Sequence, residues 1–492
     1  MGKDRDEIME KSSNAYLTVC VALCTAVILS LFLVLIDGVR RNGGRLEAEC
    51  VTEIGLYSVM AEYHRELMKQ FNLFAIDASY GTVTCSKTNT EAHLQKYVEK
   101  NLDYGDVIFS EYLYRDFLGL EAGPVEVTKV SILTDHGGAV FRRCAAEAIG
   151  ADVGLEVFEQ LQGWIRTIEV NGLEEGNAEE EKRKLDEEIE KYDGMEVEIQ
   201  ENQWDTLRIT NPTSALEEKK RLGLLKLVVE DEEALSRNAL DMTGLIWDRS
   251  EKGGLSQGNI PQREESAAEQ LAERFFFQEY LLKYLGRYGK ENAEDVLRYQ
   301  IEYLIAGHES DVDNLRSVIN RLCLMREAAN AVYLLTDETK YNQIKAVAEF
   351  VCTLILLPEL SSLLEGAIVL GWAFAESVYD VKTLLSGGRV PLLKDGDSWH
   401  YGLESALQGE LDDVGKGDRG LSYEDYLRVL MMLGDKETLT MRAMNMVEAD
   451  IRNTSGNFAF RLDGCYVELE AKLLFYGPGG CSYEIIRRKK YR

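Results

Sequence analysis

An apolar run near the N-terminus constrains this chain more than any other feature. From Ala15 to Ile36 the sequence reads AYLTVCVALCTAVILSLFLVLI, which contains no charged residue. At 1.5 Å per residue, a helix of this length crosses a hydrocarbon core roughly 30 Å thick. The run therefore predicts a transmembrane helix. The alternative is a core helix of a soluble protein, but such helices seldom lack charge over about six turns.

The flanks of this run bear on cleavage and on orientation. The sequence IDGVRRNGGR after Leu35 offers no small-x-small cleavage site, so we expect an uncleaved signal-anchor rather than a removable signal peptide. Basic residues precede and follow the span in equal number, so charge alone leaves the orientation open. The short polar N-terminal tail favours a cytoplasmic N-terminus and an extracytoplasmic C-terminal domain in the cell membrane.

Small residues recur every four positions within the span, at Thr18, Ala22, Ala26 and Ser30. A ridge of small side chains lets a second membrane helix approach closely. The same residues are also common in any membrane helix. Two interpretations therefore stay open, a helix-packing face and ordinary composition.

The acidic composition limits the partners of the protein. The 85 acidic residues outnumber the 55 basic residues and give a net charge of -30 over 492 residues. Nucleic acid is excluded as a partner, because its phosphates would be repelled. A hydrophobic content of 45% is ample for a core, so the chain has room for two or three domains.

No motif in the sequence defines a reaction. The five histidines form no HxxxH or HExxH pattern, and the nine cysteines form no CxxC or Cys/His cluster. GxSxG and Walker A sequences are also missing. We therefore expect no enzyme, no cofactor, no metal site and no catalytic residues. Acidic runs at 311–315 and 395–399 lack the EF-hand pattern, which leaves only irregular calcium ligation open.

Hydrophobic patterning predicts an α+β fold with a long N-terminal transmembrane and amphipathic helix, an antiparallel sheet and a mainly helical block. After the span, apolar residues at three- and four-residue steps predict one helical face that seeks a core: Leu46, Cys50, Ile54, Tyr57, Ala61, Met68 and Phe71. Alternating runs at 71–78, 82–86 and 125–133 predict strands, and LLKLVVED from Leu224 predicts another. A strand near the C-terminus, within 457–476, should return to the sheet.

The predicted organisation has eight parts. Its boundaries are a cytoplasmic tail (1–14), the transmembrane helix (15–36), a membrane-proximal helix (37–70), an α+β extracytoplasmic region (71–250) with an acidic helical insertion (172–203), a mobile loop or linker (251–265), a helical block (266–386), an α+β region returning to the sheet (387–486) and a basic tail (487–492).

The basic tail stands out in an acidic protein. Its cationic side chains are candidates for contact with an anionic surface: Arg487, Arg488, Lys489, Lys490 and Arg492. Such a cluster near anionic headgroups gains roughly 1 kcal/mol per Lys or Arg. Lipid, an anionic wall polymer and the protein's own acidic surface are possible contacts, and a merely solvated tail is the simplest interpretation.

Several stretches in order resemble a known family, the domain of unknown function 5702 family of anaerobic Gram-positive bacteria. The matching stretches are IDGVR (36–40), SVMAEYHREL (58–67), FNLFAID (71–77), YLIAG (303–307), REAAN (326–330), FAES (374–377), GGRVPL (387–392) and LSYEDYLR (421–428). The chain departs from the family at Asp37, where Glu is commoner, and at Asn72, where Gly is usual.

The resemblance implies a place and a role. Such proteins look like relatives of the TadE and TadG pilus-assembly proteins, with one N-terminal span and an extracytoplasmic domain. The implied role is a structural or assembly component, similar to a minor pilin, of a Tad or Flp-type pilus or secretion system. The implied partners are membrane lipid and other membrane proteins of that apparatus, and the family brings no catalytic residues.

Two other classes of function remain open from the residues alone. An envelope binding or sensor module would recognise a wall polymer or peptide in a groove, with Trp372, Trp399 or Tyr423 as candidate lining residues. An enzyme assembled from distant residues would instead need a deep pocket with clustered titratable groups.

Overall fold

The computed structural model describes residues 3–103, 118–149, 155–173, 196–200, 203–206, 214–221, 223–262, 266–355, 360–415 and 417–491. The helices are α1 (Lys3–Met60), α2 (Arg65–Phe71), α3 (Lys87–Leu102), α4 (Asp135–Ile149), α5 (Leu155–Asn171), α6 (Ser214–Arg221), α7 (Leu224–Val228), α8 (Ile246–Glu251), α9 (Ala267–Tyr284), α10 (Gln300–Ala306), α11 (Asp311–Thr336), α12 (Glu338–Ile355), α13 (Ser361–Leu385), α14 (Leu403–Leu407), α15 (Tyr423–Leu433) and α16 (Lys436–Asn453). The strands are β1 (Ile76–Asp77), β2 (Glu121–Ile132), β3 (Glu196–Gln200), β4 (Gln203–Thr206), β5 (Cys465–Gly477) and β6 (Cys481–Lys490). This arrangement confirms the predicted α+β class.

Helix α1 is 58 residues long and therefore extends about 87 Å. Within the described part of the chain it is the one helix long and apolar enough to cross a membrane. Its most apolar segment has no contact with the rest of the protein, and side chains 16–38 are all exposed. The helix therefore fits a membrane anchor, although a signal sequence has the same length and composition.

The membrane-proximal helix ends earlier than predicted, at Met60 instead of residue 70. The side chain of Glu62 accepts a hydrogen bond from the Tyr97 hydroxyl at 2.7 Å, and His64 then caps α2 by accepting from the backbone N–H of Leu67 at 3.2 Å. At the end of α2, Asn72 has φ 51° and ψ 35°, a left-handed conformation. Glycine adopts this conformation without strain and asparagine tolerates it, so Asn72 can end the helix here.

The main sheet is antiparallel and is organised around β5. Strand β2 pairs along one side of β5, while β6 and the short β1 pair along the other side. In the centre of the sheet, Ala471 lies opposite Val127 on β2 and Arg487 on β6. The C-terminal segment therefore returns to the sheet that begins near Phe71, as the sequence predicts.

Two hydrophobic cores lie against this sheet. The smaller core joins the outer half of α1, helix α3 and alternate residues of β5, including Leu469 and Leu473. The larger core contains α2, α4 and the predicted helical block, in which α11 and α13 pack side by side. Because Cys465 and Val467 of β5 belong to the larger core, this one strand contributes to both.

Three short segments differ from their predicted structure. The segment 82–86 forms turns, and Ser86 caps α3 by accepting from the backbone N–H of Thr88 at 3.2 Å. The predicted strand at Leu224 is helix α7, with Leu225 and Val228 buried three residues apart. The acidic insertion falls largely outside the described residues, but its described end forms the hairpin β3–β4 rather than a helix. Short apolar runs fit either period, which explains the second error.

The predicted mobile loop, 251–265, is attached along the outer edge of β2 over its described residues. The backbone N–H of Asn259 donates to Val130 O at 3.0 Å, and its side-chain oxygen accepts from the Val130 N–H at 2.9 Å. The Gly258 N–H donates to the Asp135 carboxylate at 2.7 Å. A Cβ at residue 258 would lie 2.2 Å from the same carboxylate, so only glycine fits there.

Candidate functional site

The outer half of α1 packs against the domain through small and medium-sized side chains. Its buried residues include Ala48, Val51, Leu56 and Val59. Glycines allow close approach on this side, because a Cβ at Gly55 would lie 3.0 Å from Leu94 of α3. Gly43 and Gly44 lie in continuous helix, where a Cβ would lie 3.0 Å from Leu118 and from Tyr483, respectively.

The opposite side of α1 is an exposed apolar stripe, formed by Val39, Leu46, Cys50, Ile54 and Tyr57. The exposed fraction is 64% for Val39, 64% for Leu46, 47% for Ile54 and 62% for Tyr57, and Cys50 is also exposed. The prediction that this face seeks the protein's own core is therefore wrong up to Ala61. The helix is apolar on two sides, and the domain covers only the side with the smaller residues.

The predicted ridge in the span lies on the exposed part of α1. The side chains of Ala22 and Ala26 are exposed, and the Ser30 hydroxyl donates to Val27 O at 2.8 Å. Because four residues advance a helix by about 400°, the ridge winds away from the line of the apolar stripe. Thr18, Ala22, Ala26 and Ser30 thus form a separate surface, and their role in helix packing stays a prediction.

The predicted basic tail is the end of strand β6, because residues 487–490 pair with β5. Side chains alternate between the two faces of a strand. Arg487 and Lys489 turn toward α1, where Lys489 Nζ lies 2.7 Å from the Glu53 carboxylate and Arg487 Nε lies 3.5 Å from it. Lys489 Nζ also lies 4.0 Å from the Tyr57 ring centroid. These two cations therefore contact the protein's own acidic surface beside the apolar stripe.

Arg488 and Lys490 lie on the other face of β6. Arg488 pairs with Glu468 on the neighbouring strand, whereas Lys490 has no ion-pair partner among the described residues. Arg492 lies outside the described residues. The interpretation as a solvated tail is thus wrong for 487–490, because the segment completes the sheet.

A buried network of charges joins four of the stretches that carry the family resemblance. Arg326 of REAAN donates to the Asp380 carboxylate at 3.0 Å, to the Tyr426 hydroxyl of LSYEDYLR at 3.0 Å, and to two carbonyl oxygens of GGRVPL. Glu376 of FAES pairs with Lys394, whose ammonium also lies 2.6 Å from Asp380. The four charged side chains are at most 1% exposed.

This network fixes a loop on two helices. The Glu376 carboxylate accepts from the backbone N–H groups of His400 and Tyr401, both at 2.9 Å. Two cations and two anions balance one another, which offsets the high cost of burying each charge. Since the network has no exposed member, it positions the fold and presents no group to a ligand.

The three aromatic residues that were candidates to line a binding groove do not lie in a groove. Trp372 and Tyr423 are buried, at 1% and 6% exposure, and Trp399 packs against Trp372 with 5.5 Å between the ring centroids. These residues belong to the core, and they do not line the cavities described below. Trp372 lies in the apolar helix α13, whereas Trp399 lies in the loop before α14, so their contact depends on tertiary packing.

The acidic runs form caps and turns. Asp311 accepts from the backbone N–H groups of Arg298 and Tyr299, both at 3.0 Å, and Asp395 accepts from Ser398 at 2.9 Å. Over the described residues, no group of three or more His, Cys, Asp or Glu side chains has a metal-binding arrangement. All nine cysteine thiols are free.

Cavities of ligand size lie in the helical region and beside the sheet. One cavity, of about 780 Å³, is lined by Tyr288, Tyr299, Lys382 and the carboxylates of Glu230 and Asp412. A second, of about 480 Å³, lies between α11 and α13. A third, of about 320 Å³, lies between α4, the loop at 260–262 and the ends of β5 and β6. The sequence did not predict these sites, because each is built from distant segments.

Comparison with known proteins gives one family. A family model described as a family of unknown function, DUF5702, matches residues 202–476. Searches of the curated proteins and of the solved structures give no match. The matched region includes the helical block, the buried charge network and strand β5. The chain therefore belongs to DUF5702, a family of unknown function.

Proposed function

We propose that this chain is a single-pass, membrane-anchored extracytoplasmic protein that serves as a structural or assembly component, similar to a minor pilin, of a Tad or Flp-type pilus or secretion apparatus. In this proposal it is not an enzyme. The apolar stripe on α1 carries the proposal, because beyond Val39 it is a surface that neither the protein's own domain nor the membrane covers.

The continuity of α1 supports an uncleaved anchor. The residues that build the smaller core, from Ala48 to Met60, belong to the same helix as the predicted span, 15–36. Removal of the span as a signal peptide would cut within a few turns of that core. The proposed topology has a cytoplasmic N-terminus and a C-terminal domain outside the membrane.

The height of the stripe supports a protein partner. If residue 36 marks the edge of the hydrocarbon core, Leu46 lies about 15 Å and Tyr57 about 32 Å beyond it. The headgroup layer is only about 5–8 Å thick on each side. Lipid therefore reaches Val39 but not the rest of the stripe, and a helix of another membrane protein at the same height is the partner we propose.

A paired substitution experiment tests this role. Leu46→Glu with Ile54→Glu places two charges on the stripe, and both side chains are exposed, so the fold should persist. Val83→Glu with Phe458→Glu is the matched control, because these residues are 74% and 77% exposed but lie off α1. In cells, we expect the stripe variant to lose surface filaments and to lose its co-purifying membrane partner, while the control keeps both.

Filaments of normal number and length in the stripe variant, or in a strain that lacks the gene, would contradict the proposal. Cross-linking at the exposed Cys50 gives an independent measurement. Its cross-linked product should disappear with the stripe substitutions and persist in the control.

A binding or sensor role is the second candidate, and the cavity of about 780 Å³ favours it. Tyr288 and Tyr299 supply aromatic surface, and Lys382 lies among carboxylates at its edge. This volume lies within the usual range for ligand sites, about 300–1,000 Å³. A peptide or wall polymer that binds there should protect this cavity from solvent exchange without changing cross-linking at Cys50.

A further inference from the structure

The cavity of about 320 Å³ beside the sheet is lined by cations from two elements. Arg143 comes from α4, and Arg488 and Lys490 come from the end of β6, while His136 of α4 also lines the cavity. Two carboxylates, Glu147 and Glu468, also line the cavity. Glu468 is already paired with Arg488, so it does not neutralise the other cations.

Arg143 and Lys490 are the cations of this cavity whose charges have no partner in the described part of the chain. Neither side chain forms an ion pair or a hydrogen bond with a described residue, although most arginine side chains of the domain interior do. Arg143 is partly buried on α4, and Lys490 is exposed at the rim. Burial raises the pKa of the Cys144 thiol to about 12, while the positive charges of Arg143 and Lys490 act in the opposite direction. Both cations therefore lie near this one side chain.

The walls of the cavity are fixed rather than loose. His136, Gly137 and Gly138 have φ values of 56°, 64° and 79°, so the backbone turns sharply within the first turn of α4. His136 Nε2 lies 3.3 Å from Ile260 O, which ties this turn to the loop on the other side. The loop itself is held on β2 through Asn259. Val140 and Val467 supply apolar surface at the base.

We propose that this cavity binds a phosphate group, with Arg143 and Lys490 as its main contacts. Cations that approach from α4 and from β6 fit a tetrahedral anion with several acceptor oxygens better than a planar carboxylate. Arginine supplies paired N–H donors to phosphate, and lysine supplies a compact charge. The site is independent of the apolar stripe and goes beyond the proposed assembly role.

A lipid headgroup is not the source of this phosphate when α1 spans the bilayer. The Tyr491 hydroxyl donates to Met60 O, so the end of β6 lies level with the end of α1. That level is about 36 Å beyond residue 36. Attraction to the membrane surface is screened over about 8 Å at physiological ionic strength. The phosphate must therefore belong to a soluble compound or to a polymer that extends away from the membrane.

Equilibrium binding to the purified full-length protein tests the proposal. The probes are inorganic phosphate, a short glycerol phosphodiester oligomer and acetate, measured by calorimetry at low salt. The double variant Arg143→Gln with Lys490→Gln should bind phosphate at least about tenfold more weakly, because both charge-assisted contacts to the anion are lost. The control Lys96→Gln with Lys472→Gln removes the same charge outside the cavity and should change binding less than about twofold.

Each outcome decides the matter. Tighter binding of the oligomer identifies a phosphodiester polymer as the source, and tighter binding of inorganic phosphate identifies a free phosphate compound. Equal binding of acetate and phosphate would show a general anion surface and overturn the proposal. Unchanged phosphate binding in the double variant, with its thermal unfolding also unchanged, would overturn it as well.

Discussion

Glu302 is completely buried, and its two carboxylate oxygens differ. One accepts from the Tyr288 N–H at 3.0 Å and from the Tyr423 hydroxyl at 2.8 Å, whereas the other has no hydrogen-bond partner among the described residues. Burial outweighs these hydrogen bonds and raises the pKa of this carboxyl to about 7. The folded protein therefore holds a proton at Glu302 over a pH range in which the unfolded chain releases it.

This proton makes stability depend on pH. Since the folded pKa exceeds the ordinary value of 4.5, the stabilising contribution is present below about pH 4.5 and is lost as the pH rises to about 7. Glu302→Gln keeps the oxygen that accepts both hydrogen bonds and cannot ionise. We expect the wild type to lose about 2–3 kcal/mol relative to this variant between pH 4.5 and pH 8.

Urea unfolding at several pH values measures the difference. Asp295 and Asp450, whose pKa values are raised to about 6 and about 7, titrate in both proteins and cancel in the comparison. Parallel stability curves for the two proteins would contradict the assignment of this proton to Glu302.

Individual side chains show where inference from the sequence stops. The spacing of Arg326 and Asn330, or of Glu376 and Asp380, does not reveal that these helices place their charges against each other. Pairing across 54 residues of sequence is decided by tertiary packing, which residue spacing within one helix does not encode.

The helices and strands with long, regular patterns were predictable. The apolar start of α1 and the strands β2 and β5 lie close to their predicted positions. The buried face of α1 was not predictable, because apolar residues recur at helical spacing on two sides of this helix. The side that packs carries Gly44, Ala48 and Gly55, whose small size permits contact but contributes little hydrophobic signal. Size complementarity, rather than hydrophobicity, decides between the two sides.

Truncation of α1 tests its place in the smaller core. A chain that begins at Arg45 keeps the buried side chains of the helix, whereas a chain that begins at Asn72 loses Ala48, Val51, Leu56, Val59 and Met60. Each large apolar side chain contributes about 1.5–3 kcal/mol on burial, so their sum approaches the usual stability of a whole domain, about 5–15 kcal/mol.

We therefore expect the Arg45 chain to remain folded and soluble and the Asn72 chain to aggregate. Size-exclusion chromatography and circular dichroism distinguish the two. Equal elution and equal spectra would show that α1 is only a tether.

At the scale of the whole molecule, strand β5 couples the two cores. Leu469 is completely buried in the smaller core, while Val467 of the same strand packs in the larger one. Leu469→Ala should cost about 2–5 kcal/mol. All five tryptophans lie between residues 164 and 399, outside the smaller core, so their fluorescence reports on the remainder of the domain.

If β5 couples the stability of the smaller core to that of the larger core, the unfolding transitions measured by tryptophan fluorescence and by far-ultraviolet circular dichroism will shift together in the Leu469→Ala variant. Coincident transitions by two probes indicate one cooperative unit. A fluorescence transition that stays in place while circular dichroism shows an earlier phase would mean that the cores unfold separately.

The passage of α1 from the span into the smaller core, with no interruption between residues 3 and 60, has a mechanical consequence. In a bilayer no flexible hinge separates the span from the domain within α1. Any tilt or rotation of the span therefore becomes the same tilt or rotation of the domain. A force applied to the domain far from the membrane reaches the span as tension along α1 and as shear across the main sheet, which packs against α1. The protein is thus suited to report or resist torque at the membrane, which a domain on a flexible tether cannot do.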